Sequence, residues 1–337
     1  MIDNLIENDL DKIIKNTNNV KTVFKNKTVL VTGGAGFLGS WLCDVFFKLN
    51  SKVICQDNYS TGSVKNINHL IGSNNFRLIR SDVSKKIVDE KIDFVIHLAS
   101  RASPENYRLN RIDTLLTNSQ GTKNALELAK KNSCVFLFSS TSEIYGDAKI
   151  IPTPEEYWGN VNPIGERSCY DEGKRYGEAL CMAYKNEHKL DSRIVRIFNT
   201  YGPRMRADGT YGRAISKFVF RALTNQELQI FGDGKQTRSF CYITDTIRGI
   251  LSTLLTKSPY SIINLGNDKE ISIKELADII LKLTSSNSKI VYKEKMPDDP
   301  RRRRPDITKA KKTLNWSPKV ELSEGLERTI KWFKENN

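Results

Sequence analysis

The sequence predicts an α/β fold, a doubly wound parallel sheet with a smaller lobe at its C-terminal end. Three observations support this. The 337 residues, 39% of them hydrophobic, are enough for one large α/β unit with an appendage, or for about two domains. Short β-branched runs alternate with helical patterns through the first half, as in parallel sheets. These runs are almost continuously apolar, as in strands covered by helices on both faces.

The predicted strands share this apolar, β-branched character and are spaced so that a helix can cross over between neighbours. Runs such as Phe94-Val95-Ile96 leave no polar face for solvent, which indicates burial on both sides. Six strands are expected, at residues 28–32, 52–55, 76–79, 93–97, 134–138 and 193–198.

Helices are predicted where apolar residues recur at three- and four-residue spacing. In the first half this pattern covers residues 36–49, 118–131 and 170–188. Beyond about residue 200 the chain becomes irregular and rich in Gly, Pro and Arg, with further helices at 273–283 and 323–333. This change predicts a smaller lobe that faces the substrate.

Charge and composition narrow the classes of function. With 53 Lys and Arg against 39 Asp and Glu, the net charge is +14, which suits nucleic acid, a membrane surface or a small anionic substrate. The densest basic run, 301–304, lies between helix and turn signals and is therefore not a disordered basic tail. We expect a small anionic substrate, with neither nucleic acid nor a membrane as partner.

Compartment and metal content follow from the remaining composition. No eighteen-residue apolar run occurs, and the first residues lack the apolar segment of a signal peptide, so we expect a cytoplasmic protein. The six cysteines are scattered and are expected to be reduced. Three histidines are too few for a His-based metal centre, and no metal is expected.

A glycine-rich turn follows the first strand and opens a helix. Gly33, Gly36 and Gly39 let the backbone turn tightly and approach a pyrophosphate, whose charge is stabilised by the free N–H groups at the helix start. Taken alone, this spacing also fits an ordinary tight βα turn. Asp57, which ends the second strand, favours the nucleotide interpretation, because a carboxylate there binds ribose hydroxyls and repels the 2'-phosphate of NADP. We therefore predict NAD. Asp82, after the third strand, is predicted either to bind the adenine amino group or to form a turn with Ser81.

A tyrosine and a lysine lie four residues apart on one predicted helix face. Tyr170 can accept a proton from a sugar hydroxyl while the carbon beneath gives a hydride to NAD. The Lys174 ammonium and the positive nicotinamide ring are expected to favour the phenolate, and Lys174 is also expected to bind the nicotinamide ribose. Thr141, at the end of the fifth strand, can hydrogen-bond the reacting oxygen. The serines around it also fit a helix-capping loop.

These motifs together resemble the extended short-chain dehydrogenase/reductase family of nucleotide-sugar enzymes. The Gly-x-x-Gly-x-x-Gly spacing and the Thr141, Tyr170, Lys174 set carry the resemblance. Where the family's 4,6-dehydratases have an Asp-Glu pair, this chain has Ser142-Glu143, so the acid that protonates the departing hydroxyl is missing. The segment 157–175 closely resembles the UDP-glucuronate decarboxylases, also called UDP-xylose synthases, and the resemblance covers roughly residues 26–335.

The resemblance implies the domain organisation and the reaction. We expect an N-terminal extension (1–25), an NAD-binding Rossmann-like domain (26–199) and a mainly substrate-binding lobe (200–337) with some segments returning to the sheet domain. The implied reaction oxidises C4 of UDP-glucuronate, releases CO₂ from the resulting β-keto acid and returns the hydride to give UDP-xylose. The NAD is tightly bound and recycled. Alternatives are a nucleotide-hexose 4,6-dehydratase or 4-epimerase, a decarboxylase that releases the 4-keto-pentose, and a dinucleotide-sensing regulator.

The resemblance also implies which residues form the site. Thr141, Glu143, Tyr170 and Lys174 are the expected catalytic residues, where Glu143 either shapes the carboxylate pocket or assists protonation at C5. Besides Tyr170 and Lys174, the residues expected to bind NAD are Gly33, Gly36, Phe37, Leu38, Gly39, Asp57, Asn58, Thr61, Gly62, Asp82, Val83, Leu98, Ser100, Thr117 and Thr200. The residues expected to bind substrate are Tyr107, Ser142, Asn199, Arg238 and Arg303.

One residue of this set has two interpretations, and one further expectation concerns assembly. Arg303 aligns with an arginine that the family places near the substrate carboxylate, but it also fits a solvated basic turn. The helices at 118–131 and 170–188 resemble those that pair as a four-helix bundle in family dimers. A homodimer is therefore expected.

Overall fold

The computed structural model describes residues 3–208, 212–257, 262–296 and 298–336. The helices in these ranges are α1 Asn4–Lys15, α2 Val20–Phe24, α3 Phe37–Lys48, α4 Pro104–Leu109, α5 Arg111–Leu116, α6 Thr122–Asn132, α7 Ser168–His188, α8 Ala214–Leu223, α9 Ile243–Leu255, α10 Ile273–Thr284, α11 Thr308–Leu314 and α12 Leu322–Asn336. A π-helical turn at Thr117–Gly121 joins α5 to α6. Short 3₁₀ turns lie at Val64–Asn66, Asn68–Leu70 and Ser142–Tyr145.

The strands form one large sheet and three small ones. Their bounds are β1 Thr28–Thr32, β2 Lys52–Asp57, β3 Phe76–Arg80, β4 Phe94–His97, β5 Val135–Thr141, β6 Ser192–Ile197, β7 Thr200–Tyr201, β8 Leu228–Phe231, β9 Thr237–Ser239, β10 Cys241–Tyr242, β11 Ile262–Leu265, β12 Glu270–Ser272, β13 Ile290–Lys293 and β14 Arg302–Arg303.

The large sheet confirms the predicted fold class. Seven parallel strands run in the order β11-β6-β5-β4-β1-β2-β3, so the direction of winding reverses between β1 and β4. Successive residues of β1 enter different cores: Val29 and Val31 pack in one, and Leu30 packs in the other. This alternation explains why the strands are apolar throughout, because helices cover both faces of the sheet. Ligands bind such sheets at the carboxyl ends beside the reversal point.

The small sheets bring distant basic residues together at that end. Strand β9 pairs in parallel with β14 and antiparallel with β12. In this register Arg238 lies directly opposite Arg303, although 65 positions separate them in the chain. The C-terminal part of the chain therefore supplies a pair of guanidinium groups beside the large sheet.

The N-terminal segment is helical, which the sequence analysis did not predict. Asp3 caps α1, its side chain accepting a hydrogen bond from the Leu5 backbone N–H at 2.7 Å. Ile6, Leu10 and Ile13 bury one face of the helix in the same core as α3 and α9. Among the described residues, no helix combines the length and the apolar character that crossing a bilayer requires.

Candidate functional site

Two adjoining cavities open at the carboxyl ends of the central strands. The first, called here the dinucleotide cavity, extends from the glycine turn after β1 to Tyr170 and Lys174 on α7. The second, called the sugar cavity, lies between the large sheet and the C-terminal part of the chain and includes Glu143, Arg238 and Arg303. Thr200 and Arg213 line both cavities, so the two form one continuous cleft.

The glycine turn has the geometry of a pyrophosphate site. Gly33 has a positive φ of 68°, which a side chain rarely tolerates. A Cβ on Gly39 would lie only 2.1 Å from the Gly33 carbonyl oxygen. Gly36 precedes α3 without a side-chain cap, so the first N–H groups of the helix remain free for an anion.

Asp57 is held at the end of β2 by the backbone. Its carboxylate accepts hydrogen bonds from the N–H groups of Ala35, at 3.0 Å, and Tyr59, at 2.7 Å. Burial raises the pKa of Asp57, and these two hydrogen bonds oppose that shift. Gly62 packs against the carboxylate, since a Cβ there would lie 2.9 Å from either oxygen.

Asp82 lies at the far end of the dinucleotide cavity and is also restrained. It accepts hydrogen bonds from the Asn58 side chain, at 3.0 Å, and from the Ser84 backbone, at 2.9 Å. Burial would raise the pKa of Asp82, but the hydrogen bonds from Ser84 and Asn58 outweigh burial and lower it. An ionised acceptor is therefore available there at neutral pH.

The cavity gathers nearly all the residues predicted to bind NAD. Gly62 lies outside its lining, behind Asp57, and the remaining predicted residues line it: Gly33, Gly36, Phe37, Leu38, Gly39, Asp57, Asn58, Thr61, Asp82, Val83, Leu98, Ser100, Thr117, Tyr170, Lys174 and Thr200. The Ser100 Oγ is buried with no hydrogen-bond partner among the described residues. This unpaired hydroxyl and the glycine cradle fit a bound dinucleotide.

Tyr170 and Lys174 lie on one face of α7 and line the dinucleotide cavity. The Lys174 Nζ donates a hydrogen bond to the Ser139 carbonyl oxygen at 2.8 Å and lies 6.0 Å from the centroid of the Tyr170 ring. The Tyr170 ring stacks on Tyr107, with centroids 5.1 Å apart. Thr141 hydrogen-bonds Tyr170, and its Oγ1 also accepts a hydrogen bond from the Glu143 N–H at 3.3 Å.

Burial shifts the pKa values of this pair in opposite directions, away from each other. It raises the pKa of Tyr170 to about 12, against the opposing effects of the Arg213 charge and the Thr141 hydrogen bond. It lowers the pKa of Lys174 to about 7. The sequence predicts that Lys174 favours the phenolate, whereas the nearby cation that lowers the Tyr170 pKa is Arg213. Sequence reasoning missed Arg213, because its approach to Tyr170 depends on the packing of α8.

Glu143 lies between two buried arginines. Its carboxylate accepts hydrogen bonds from both Nη atoms of Arg303, one of them at 2.9 Å, and a further one from the Arg167 Nη2. Burial alone would raise the pKa of Glu143, but the Arg167, Arg303 and Arg213 charges hold it far below its usual range. Arg303 is therefore a buried side chain of the site, and not a solvated turn residue.

The other residues predicted to bind substrate have different surroundings. Arg238 donates a hydrogen bond to the Asp299 carboxylate at 2.9 Å, and Asn199 donates one to the Ser239 carbonyl oxygen at 3.3 Å; both line the sugar cavity. Tyr107 and Ser142 are buried and line neither cavity. The Tyr107 hydroxyl has no hydrogen-bond partner among the described residues.

Arg167 is a further side chain of the site to which sequence reasoning gave no role. It lies in the stretch Arg167-Ser168-Cys169-Tyr170, directly before α7, and its position ahead of the predicted catalytic tyrosine was the available signal. Its guanidinium is buried against Glu143 and lines the sugar cavity. Which acid it meets depends on the tertiary fold.

Comparisons with known proteins agree with this geometry. The model of the "NAD dependent epimerase/dehydratase family" matches residues 29–266. The chain is 47% identical to UDP-glucuronic acid decarboxylase 1 of Xenopus tropicalis, over 91% of this chain and 72% of that protein. It is 48% identical to UDP-glucuronic acid decarboxylase 5 of Arabidopsis thaliana, over 91% and 89% of the two chains.

A solved structure extends the likeness to three dimensions. UDP-glucuronic acid 4-epimerase from Bacillus cereus, in complex with UDP-glucuronic acid and NAD, is 31% identical to this chain. The two superpose with a TM-score of 0.83, covering 91% of this chain and 99% of the epimerase. The chain therefore belongs to the NAD-dependent epimerase/dehydratase family, and the two relatives named above, each of which matches 91% of its length, are UDP-glucuronic acid decarboxylases.

Proposed function

We propose that this protein is an NAD-dependent UDP-glucuronate decarboxylase whose product is UDP-xylose. The observation that carries the proposal is the position of Arg303. Its buried guanidinium forms a two-pronged contact with a carboxylate, that of Glu143, in the cavity that adjoins Tyr170 and Thr141. A guanidinium in this position can bind the C6 carboxylate of a uronic acid bidentately while C4 lies near the phenol.

The dinucleotide cavity is the proposed NAD site. The glycine turn holds the pyrophosphate, Asp57 the adenosine ribose, Asp82 the adenine, and Lys174 the nicotinamide ribose. NAD bound there supplies a reversible hydride acceptor for C4 of the sugar. The Asp57 carboxylate also disfavours NADP, because it would lie against the 2'-phosphate.

Tyr170 is the proposed proton acceptor for the C4 hydroxyl. The charge of Arg213, which lines both cavities, and the hydrogen bond from Thr141 lower its pKa, and the positive charge of the oxidised nicotinamide acts in the same direction. Oxidation leaves a C4 ketone that is β to the C6 carboxylate. Loss of CO₂ breaks the C5–C6 bond, and its electron pair forms an enolate on the C4 oxygen. Thr141 and the protonated Tyr170 stabilise that oxygen by hydrogen bonds. A proton taken up at C5 gives the 4-keto-pentose; UDP-xylose then forms when C4 takes back the hydride held by the reduced cofactor and Tyr170 returns its proton to the C4 oxygen.

Ser142 supports decarboxylation over loss of water. Elimination of a sugar hydroxyl needs a proton donor, and an alcohol with an ordinary pKa cannot serve as that acid. The residue that follows, Glu143, cannot replace it, because Arg167 and Arg303 hold its pKa far below its usual range. The acid required by a 4,6-dehydratase is therefore absent from this part of the site.

The substrate's pyrophosphate is proposed to bind at Arg238 and Asn199. Arg238 is nine-tenths buried, and its guanidinium forms part of the wall of the sugar cavity. Bidentate arginine contacts suit phosphate oxygens. On binding, these oxygens replace the Asp299 carboxylate as the partner of Arg238. The ionic substrate thus accounts for part of the positive net charge.

We further propose a cytoplasmic homodimer. The segment 111–132 and helix α7 expose apolar side chains that a monomer would leave in water, among them Ile112, Leu116 and Tyr176, which are 73%, 47% and 48% exposed. Two such helices from each of two copies can pack as a four-helix bundle. All six cysteines are unpaired and buried, as is typical of a reducing compartment.

Product mass tests the proposed function. The purified protein is incubated with UDP-glucuronate and NAD, and we expect a nucleotide product that is lighter by one CO₂ and migrates with UDP-xylose. The Tyr170→Phe variant should bind NAD normally and turn over at least about 100-fold more slowly. A product with the unchanged mass of UDP-glucuronate would instead identify a 4-epimerase.

A further inference from the structure

The wall of the sugar cavity contains a buried cluster of charges that are paired with each other. Three arginines (Arg167, Arg238 and Arg303), called here the arginine cluster, contact two acids, Glu143 and Asp299. The two groups proposed to bind the substrate, Arg303 and Arg238, are thus each paired with an acid of this chain. The carboxylate and the pyrophosphate of the substrate must therefore displace these two acids from the arginines in order to bind.

Arg167 connects the two halves of the cluster. It donates a hydrogen bond to Glu143, and its Nη1 lies 3.9 Å from the Asp299 carboxylate. Its Nε lies 3.9 Å from the carboxylate of Asp171, one turn along α7. The Arg167 residue is only 8% exposed.

When the substrate carboxylate binds Arg303 in place of Glu143, Glu143 loses its bidentate partner. A carboxylate that stays buried without a counter-charge is costly, so Glu143 must keep another cation, take up a proton or leave the site. Arg167 already contacts the Oε2 of Glu143, the oxygen that also accepts from the Arg303 Nη2. It can therefore retain Glu143 when the substrate replaces it on Arg303.

We propose that Arg167 is a positioning residue for the decarboxylation, holding Glu143 ionised and inside the site while the substrate carboxylate takes its place on Arg303. This inference rests on the proposed function and deepens it. Arg167 directly precedes α7, three residues before Tyr170, so the same helix start fixes both the phenol and the arginine that holds Glu143. A planar guanidinium suits this role, because it can contact more than one carboxylate in a fixed geometry.

The Glu143 carboxylate is surrounded by charged and titratable groups from several elements, and these determine the expected pH behaviour. Arg303 reaches it from β14, Arg213 from the start of α8, and Arg238 from β9. Three further groups face it from α4 and α7: Tyr107, Tyr170 and Asp171. With Arg167 removed, the remaining acids and burial favour protonation of Glu143 more than in the native protein.

The test compares Arg167→Met, Arg167→Lys, Glu143→Gln and the double variant Arg167→Met/Glu143→Gln in the NAD-loaded enzyme. We expect Arg167→Met to lower kcat for UDP-glucuronate by about 100-fold or more, the size of effect typical of losing one partner of a buried charge pair. Its kcat should also gain an acid limb, falling at a higher pH than that of the native enzyme. Arg167→Lys should recover part of both losses. Arg77→Met, which removes an exposed arginine from the surface pair with Glu90, is the matched control.

The double variant shows whether Arg167 acts through Glu143. If it does, adding Arg167→Met to Glu143→Gln lowers kcat by less than about threefold, because the interaction is already absent. The affinity for UDP-xylose, which has no carboxylate, should change by less than about threefold in Arg167→Met. Full additivity in the double variant, or equal loss of UDP-xylose and UDP-glucuronate binding, would overturn the inference.

Three further outcomes are also decisive. If Arg167→Met does not fold, Arg167→Lys carries the test alone. A native kcat together with a native pH profile in Arg167→Lys would then overturn the inference. An unchanged pH profile in Arg167→Met would also overturn it. If the native enzyme binds UDP-glucuronate and releases no CO₂, the proposed function fails; the role of Arg167 is then judged by whether its loss weakens UDP-glucuronate binding more than UDP-xylose binding.

Discussion

Asp57 is the side chain proposed to determine which cofactor fits. Its carboxylate is fixed by two backbone N–H groups at the end of β2, and the absence of a side chain at Gly62 leaves room for it. Tyr59 and Gly62 lie within five positions of Asp57, whereas Ala35 lies 22 positions away in the glycine turn. The place of Asp57 at a strand end beside that turn was visible in the sequence, so a preference for NAD over NADP could be predicted from it.

Replacing Asp57 by Asn should relax that preference. The amide keeps an acceptor oxygen for the backbone N–H groups but removes the negative charge that repels a 2'-phosphate. We expect the ratio of NADP affinity to NAD affinity to rise by about tenfold or more, as measured by fluorescence titration of both nucleotides. Asp89→Asn, in an exposed pair with Lys131, is the matched control. An unchanged ratio would argue against contact between Asp57 and the ribose.

Burial of the Lys174 ammonium is expected to destabilise the folded protein. Its pKa is near 7 in the folded protein, whereas lysine in an unfolded chain titrates near 10.4. Between these values the unfolded chain binds more protons, so stability should rise with pH from about 7 to about 10. Lys174→Met should then stabilise the nucleotide-free protein at pH 6 by about 1–4 kcal/mol and remove this pH dependence, at the expense of activity.

Urea unfolding of both proteins at pH 6 and pH 9 measures this effect. Lys123→Met, at an exposed residue of α6, is the control for the change in side-chain type. Equal stability of Lys174→Met and the native chain at pH 6 would show that burial of the ammonium carries no net cost.

The contacts that sequence reasoning missed join residues that are distant in the chain. Tyr170 and Lys174 were predictable because helical spacing places them on one face. The contacts of Arg167 with Glu143 and of Arg303 with Glu143 span 24 and 160 positions. No local pattern encodes them: the Arg303 contact depends on how β14 lies against β9, and the Arg167 contact on how the start of α7 lies against the turn that follows β5.

All six predicted strands occur in the large sheet, and the seventh strand of that sheet, β11, was not predicted. This strand has four residues and joins the sheet beside β6, from which it is separated by α8, α9 and several short strands. A run of that length cannot be distinguished from a loop by periodicity. Helix α1 was not predicted for a different reason. Its amphipathic pattern lies in a segment rich in amides and charges, for which only an N-terminal extension was expected.

Helix α1 should contribute to the stability of the folded protein but not to catalysis. Leu10 is 1% exposed in the core shared with α3 and α9, so Leu10→Ala removes packed methyl groups and leaves a cavity. We expect a loss of about 2–5 kcal/mol in the free energy of unfolding, measured by urea denaturation, with kcat close to native. Lys15→Ala, on the exposed side of α1, should change stability by less than about 0.5 kcal/mol. A large fall in kcat for Leu10→Ala would instead connect α1 to the site.

At the scale of the whole molecule, the exposed apolar side chains of segment 111–132 predict an interface between two copies. Ile112→Glu places a charge in that interface and should shift the protein from dimer to monomer in sedimentation velocity at micromolar concentration. Ile71→Glu, at a residue that is 45% exposed on another face, should leave the dimer intact. A native protein that sediments as a monomer would contradict the dimer directly.

The molecule as a whole couples two cavities, so that oxidation and loss of CO₂ occur in one cleft. The proposed reaction depends on a transient C4 ketone, which is tested most directly with UDP-glucuronate that carries deuterium at C4 and ¹³C at C6. We expect ¹³C to leave as CO₂ while deuterium remains at C4 of the UDP-xylose formed. Retention of ¹³C in the nucleotide product, or release of CO₂ without any transfer of the C4 deuterium to NAD in a single turnover, would contradict the proposed reaction.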